Sequence, residues 1–192
     1  MSNFVRAVLI GNSFTLPLEL KINGRVVHVD SKIDTGCSRS TVSLKTALGV
    51  SREKCIELKK QAISSGLPVR LGFGVNDSNE DRERMRNIYA SGDLLNCKAV
   101  KFLYKEVSML LDEYSFTHGI CVNYDRDSSS LIGMDILKDF DFHCGKSLKT
   151  GEFVFLGCLR SKICSDYTKA LQDELGIVFE HEFLAKFIRE SI

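Results

Sequence analysis

From Phe14 to Ile22 the chain alternates, with Phe14, Leu16, Leu18, Leu20 and Ile22 on one parity and Thr15, Pro17, Glu19 and Lys21 on the other. A period of two predicts a strand with one buried face. Asn23-Gly24 follows, the pair that most readily supplies the two positive φ values of a type I′ turn, and Arg25 to Asp30 returns with Val27 and Val29 on one face. A β-hairpin is therefore predicted. Pro17 has no N–H to give to a ladder, so its strand is expected at an edge, or with Pro17 where no partner is needed.

Further along, the periodicity changes. A short helix is expected near Leu44 to Leu48. Ser51 is placed to cap a second one, with Cys55, Leu58, Ala62 and Ile63 on one face and Glu57, Lys59, Lys60 and Gln61 mainly in solvent. Gly66 and Pro68 end it. Val69 to Val75 reads as a glycine-loosened strand, and Asp77 to Arg86, with four acids and three arginines, as a solvated loop or short surface helix. Three short strands follow, at Ala99 to Tyr104, Val107 to Leu111 and Gly119 to Tyr124, the spacing of a β-barrel or sandwich. Leu131 to Leu137 reads as a buried strand that turns at Gly133 into a short helix. Phe140, Phe142 and Cys144 alternate, Gly145 to Gly151 makes a turn, and Glu152 to Leu156 returns. Ser165 opens a helical tail with Tyr167, Ala170, Leu171 and Leu175 on one face. Gly176 interrupts it, and Phe179, Phe183, Leu184, Phe187 and Ile188 continue an apolar stripe.

Composition narrows the function classes. The 192 residues carry 26 Lys plus Arg against 25 Asp plus Glu, a net charge of +1 with no basic block. That balance gives no electrostatic footprint for nucleic acid, and no apolar run approaches the roughly 18 residues of a membrane helix. The apolar stretch Phe4 to Ile10 is broken by Arg6 and too brief for a signal peptide, so a cytoplasmic protein is expected. The seven cysteines are odd in number, scattered and without a Cys-x-x-Cys pair, which speaks against a disulfide framework and a structural metal. Most are expected to pack as small buried hydrophobes.

One triad suggests a reaction. Asp34-Thr35-Gly36 follows the predicted hairpin at the end of a strand; alone, it would pass for an ordinary turn. In context, Ile33-Asp34-Thr35-Gly36-Cys37-Ser38-Arg39-Ser40-Thr41-Val42 resembles the active-site loop of the retropepsin-like aspartic peptidases. Leu131-Ile132-Gly133-Met134-Asp135-Ile136-Leu137 is similar to that family's late signature, in which Ile132 and Gly133 lead into the one short helix behind the catalytic loop. The resemblance spans roughly residues 14 to 157 and is that of a bacterial-type member with a long flap-side insertion.

The resemblance implies a mostly-β fold, a closed barrel with one acid-protease lobe per chain. The peptidase domain would run from 1 to 160, with an insertion at about 50–98 that includes the flap, and a C-terminal helical extension from 161 to 192. Peptide-bond hydrolysis of this kind needs two carboxyl groups about 3 Å apart sharing one proton. The sequence holds one such motif, so a homodimer supplying two Asp34 residues is implied, acting on a protein or peptide substrate with no metal and no cofactor. Thr35 would brace the loop across the dimer axis, Gly36 would admit the substrate backbone, and Cys37 would stand where the family often has alanine or serine. Ser38 and Arg39 would approach the substrate, and Asp135 would cap the helix or make an internal hydrogen bond. A glycine-containing hairpin flap is expected with its tip at Gly92, or else at Gly72-Phe73-Gly74. The rival reading from another class is a peptide-binding or dimerisation module on the same fold; a weaker one is a thiol enzyme using Cys37.

Overall fold

The computed structural model describes residues 4–22, 24–74, 76–111, 114–125 and 129–178. They divide into two compact units, drawn from Met1–Phe14 with Phe140–Ile192 and from Thr15–Asp139. Ten strands and six short helical segments make the chain mostly β among these residues. No described helix is long and apolar enough to cross a membrane.

The second unit holds the predicted hairpin. Strand β2 (Ser13–Ile22) begins in the first unit and pairs antiparallel with β3 (Arg25–Ile33), Leu18 opposite Val29 and Leu20 opposite Val27. Leu16, Leu18, Leu20 and Val27 are all buried, as the alternation predicts. The loop after β3 leads to β4 (Thr41–Ser43), which pairs parallel with β7 (Tyr114–Asn123) and antiparallel with β8 (Ser130–Ile132). β8 also runs parallel to β3, with Ile33 opposite Ile132. β6 (Val100–Leu111) pairs with β7, with the short β5 (Val69–Leu71), and, through Ser108–Leu111, with β2. The ladders β6-β7-β4-β8-β3-β2 thus return to β6. β2 is consequently an interior strand, and Pro17 stands just before Leu18, where the pairing with β6 begins.

Several expectations are revised. Val100 to Leu111 is one strand rather than two, with a register shift between Tyr104 and Val107 at the charged Lys105-Glu106 pair; such a bulge absorbs the extra residues without ending the ladder. Of the two forms expected for the charge run, the surface helix is the one found, α3 (Asn79–Ala90), after α1 (Leu44–Leu48) and α2 (Arg52–Ser64). Ser78 caps α3 by accepting the Asp81 N–H at 3.1 Å, Glu80 and Asp81 suit the positive end of the helix, and only Met85 is buried. Ser51 caps α2 as expected, but Lys59 is not in solvent: it is 0% exposed. Its Nζ donates to the carbonyls of Leu95 and Cys97 at 2.8 and 2.9 Å and pairs with Asp125. Three acceptors at one point make burial of that cation tolerable.

In the first unit, β1 (Val5–Ile10) pairs antiparallel with β10 (Phe153–Leu159), which pairs with β9 (Phe140–Lys146). Helix α5 (Ser165–Leu175) packs on β9 and β10 and ends where Gly176 takes φ 67, the left-handed C-cap that glycine tolerates best. The apolar stripe from Phe179 to Ile188 lies outside the described residues. The bond that fixes α5 is ionic: Arg6 donates from Nε and Nη2 to the Glu174 carboxylate at 3.0 Å, and the Ser147 hydroxyl donates to Glu174 at 3.2 Å. Arg6 holds the Glu174 carboxyl below the usual carboxylate range, against the opposing effect of burial. A carboxyl whose pKa is lowered by folding stabilises the fold at neutral pH and loses that contribution as pH falls through the carboxylate range. Glu174→Gln is therefore expected to lower stability at pH 7 by about 1–3 kcal/mol. Urea unfolding repeated at decreasing pH should show the gap begin to close below about pH 5 and go on closing as the lowered folded-state value is passed.

Candidate active site

Asp34 is the first residue after β3, half-buried, at the point where the chain leaves the parallel β3–β8 ladder. Its backbone N–H still donates to the Ile132 carbonyl at 3.0 Å, so β8 continues to hold it after the strand ends. The chain then turns tightly, Cys37 N–H donating to the Asp34 carbonyl at 3.1 Å and Gly36 N–H to Asp34 Oδ1 at 3.0 Å. A Cβ on residue 36 would stand 3.3 Å from that same oxygen, so glycine keeps the carboxylate against the backbone donor. Asp34 makes no ion pair with any described residue. What results is a part-exposed carboxylate with one oxygen held by an amide, a group able to take or share a proton.

The loop from Cys37 to Ser40 is fastened from behind. β8 ends at Ile132, Gly133 is the N-cap of the four-residue helix α4 (Met134–Leu137), and both Ile132 and Gly133 are buried. Met134 N–H donates to the Cys37 carbonyl at 2.8 Å, and Gly133 N–H donates to Ser40 Oγ at 2.9 Å. The Ser40 hydroxyl in turn donates to Asp135 Oδ1 at 2.7 Å, and the same oxygen accepts the Ser40 N–H at 2.8 Å and the Ile136 N–H at 3.1 Å. Asp135 therefore makes the internal hydrogen bonds the sequence suggested, and its Oδ2 is buried without a partner. Space is as tight as the bonding: a Cβ on residue 133 would lie 2.7 Å from the Cys37 carbonyl oxygen and 2.9 Å from the carbonyl carbon of Arg39. No backbone tolerates that approach, so glycine is required here for room, its φ of −97° being ordinary.

The remaining loop residues separate by exposure. Thr35, Gly36, Ser38 and Arg39 face solvent, Cys37 is half-buried with its thiol donating to the Arg39 carbonyl at 3.0 Å, and Ser40 is 0% exposed. Ser40 is the member that sequence reasoning missed. It stands in the polar run next to residues assigned to substrate, and nothing in its side chain marks it as the buried junction between loop and helix. Gly92 is where the expectation of a hairpin tip is not met. It follows α3 at φ 80, its N–H donating to the Tyr89 carbonyl at 3.0 Å, which is a helix terminus. β5 and β6 do pair antiparallel, up to Gly72 N–H donating to Ala99 at 2.9 Å, but the segment between them carries α3, whose serine cap and acidic first turn favour helix over strand. Among the described residues no group of three His, Cys, Asp or Glu side chains is arranged to hold a metal.

Because the loop has no room behind it, Gly133→Ala should destabilise the protein by about 1–3 kcal/mol, the cost of overpacking a filled site. Thermal unfolding measures it. An unchanged melting temperature would mean that the loop can retreat from α4.

No family model matches the sequence, and no curated protein does. Among solved structures the chain is similar to the crystal structure of a retropepsin-like aspartic protease from Rickettsia conorii, with 13% identity, coverage of 82% of this chain and 92% of that one, and a TM-score of 0.45.

Proposed function

We propose that the protein is an aspartic endopeptidase that works as a homodimer, with one Asp34 carboxyl from each copy. The observation that carries the reading is the state of Asp34: half-buried, in no ion pair with any described residue, with Oδ1 on the Gly36 amide and its loop fixed from behind by Gly133, Ser40 and Asp135. Support for the closed-barrel form comes from the β2–β6 ladder, which returns the run of strands to its start.

In this reaction two Asp34 side chains face each other across a two-fold axis and share one proton, because two carboxylates at hydrogen-bonding distance cannot both ionise. A water lies between them. One carboxylate removes a proton from it as the oxygen attacks the scissile carbonyl carbon; the other, protonated, donates to the carbonyl oxygen. The tetrahedral intermediate then collapses with protonation of the leaving amine. The Gly36 amide fixes the rotation of each carboxylate, so the pair meets the water without reorganising, which is where preorganised sites gain most. The exposure of Thr35 in one chain supports its contact with a second copy, and the titration of activity belongs to the pair as a unit.

A peptide-binding module without hydrolysis is the second reading, favoured by one observation: a helix, α3, occupies the segment between β5 and β6 where a hairpin flap was expected. Cleavage of a diverse peptide mixture, followed by mass spectrometry, separates the two. Wild type is expected to cleave, with specific activity rising with protein concentration as dimer forms. Asp34→Asn should lose about 10²–10⁴-fold, the usual contribution of a positioned acid–base group. Equal cleavage by both proteins would overturn the role of Asp34. Binding without cleavage by a confirmed dimer would favour the module.

A further inference from the structure

In and beside the Asp34 loop stand three cations, Arg39, Arg70 and Lys101. Arg70 on β5 and Lys101 on β6 are direct cross-strand partners, so two like charges share one face of an antiparallel pair. Such a pairing destabilises a sheet. Neither residue, nor Arg39 in the loop, makes an ion pair with any described residue. Arg39 and Arg70 are exposed and Lys101 is half-buried.

Geometry ties this group to the site. Lys101 Nζ lies 3.4 Å from Thr41 Oγ1 at the start of β4, and that hydroxyl in turn donates to the Arg39 carbonyl at 3.3 Å. The lysine reaches β4 by lying over Gly72, where a Cβ would stand 2.3 Å from its Cε, so glycine at 72 opens the path. All three cations act on the buried thiol of Cys121, the residue paired with Thr41; burial pushes that thiol up while Lys101, Arg70 and Arg39 pull it down and Asp135 adds to the rise. Asp135 is the acid acting on that same thiol, and its Oδ1 already accepts from Ser40 and Ile136. Positive charge remains in excess where the loop passes into β4.

We propose that Arg39, Arg70 and Lys101 form a subsite that receives an acidic side chain of the substrate, so that the preferred peptides carry Asp or Glu within a few residues of the scissile bond. The proposal rests on the peptidase reading and names its substrate class. Two exposed arginines and a lysine held at its hydroxyl partner can close on one carboxylate, which relieves the Arg70–Lys101 repulsion as it binds. Charge-assisted hydrogen bonds of this kind are the strong ones.

The test uses the full chain and two decapeptide libraries, random except for a fixed central Glu in one and Gln in the other. Wild type should cleave the Glu library with kcat/KM about tenfold higher, the ratio shrinking as salt is raised. Arg70→Glu, on an exposed position where the fold is little affected and circular dichroism can verify it, should abolish or invert the preference. Fluorescence anisotropy of the same libraries on Asp34→Asn reads binding without chemistry and should show the same Glu-over-Gln ratio. Cleavage with no difference between the libraries would overturn the subsite and leave the peptidase standing. A Glu preference in binding that Arg70→Glu removes, with no cleavage by wild type, would support the subsite while the peptidase reading fails. Equal binding of both libraries would overturn the subsite.

Discussion

Everything near Asp34 depends on how closely β8 and α4 approach the loop that follows β3. Two parallel strands, β3 and β8, deliver Asp34 and Gly133 to neighbouring positions, and the loop must then pass over the start of α4 with no side chain between. Glycine makes that contact possible, and the hydroxyl of Ser40 makes it specific. A hydroxyl can donate and accept at once, so Ser40 takes the Gly133 amide and gives its proton to Asp135, joining loop, strand end and helix in one chain of bonds. In such a chain each bond polarises the next, and removal of one member leaves the others buried and unpaired. Among the described residues the Asp34 carboxylate is held by a backbone amide, that of Gly36, and by no ion pair.

Much of this was legible in the sequence, for reasons that differ by element. β2 and β3 announced themselves through a period of two with one buried face, and the Asp-Thr-Gly turn and the Leu-Ile-Gly segment are short motifs whose function depends on local backbone geometry. α3 was harder, because a charged segment with one buried side chain, Met85, has no amphipathic stripe to detect; its evidence lay in the cap at Ser78 and the acids of its first turn. Ser40 and Lys59 could not be read at all. Both look like surface residues by type, and both are buried because partners far along the chain meet them: Asp135 for the serine, Asp125 and two carbonyls for the lysine. Long-range polar satisfaction leaves no periodic trace in a sequence.

Lys59 also gives a standard against which the other cations of this unit can be judged. Its buried charge meets three acceptors, so its desolvation is offset in the folded chain. Arg6 in the other unit is treated in the same manner, with Nε and Nη2 on Glu174 and the carboxylate further held by Ser147. Both of these cations meet a carboxylate. Arg70 and Lys101 have no such carboxylate among the described residues, at a position where that costs stability, since a neutral or acidic residue at either place would pair better across the ladder. Local violations of this kind are expected where a surface is shaped for a partner instead of for the fold. The unpaired charge falls next to Thr41, the residue that ends the Asp34 loop, so an anion arriving there would meet cations that no described carboxylate pairs.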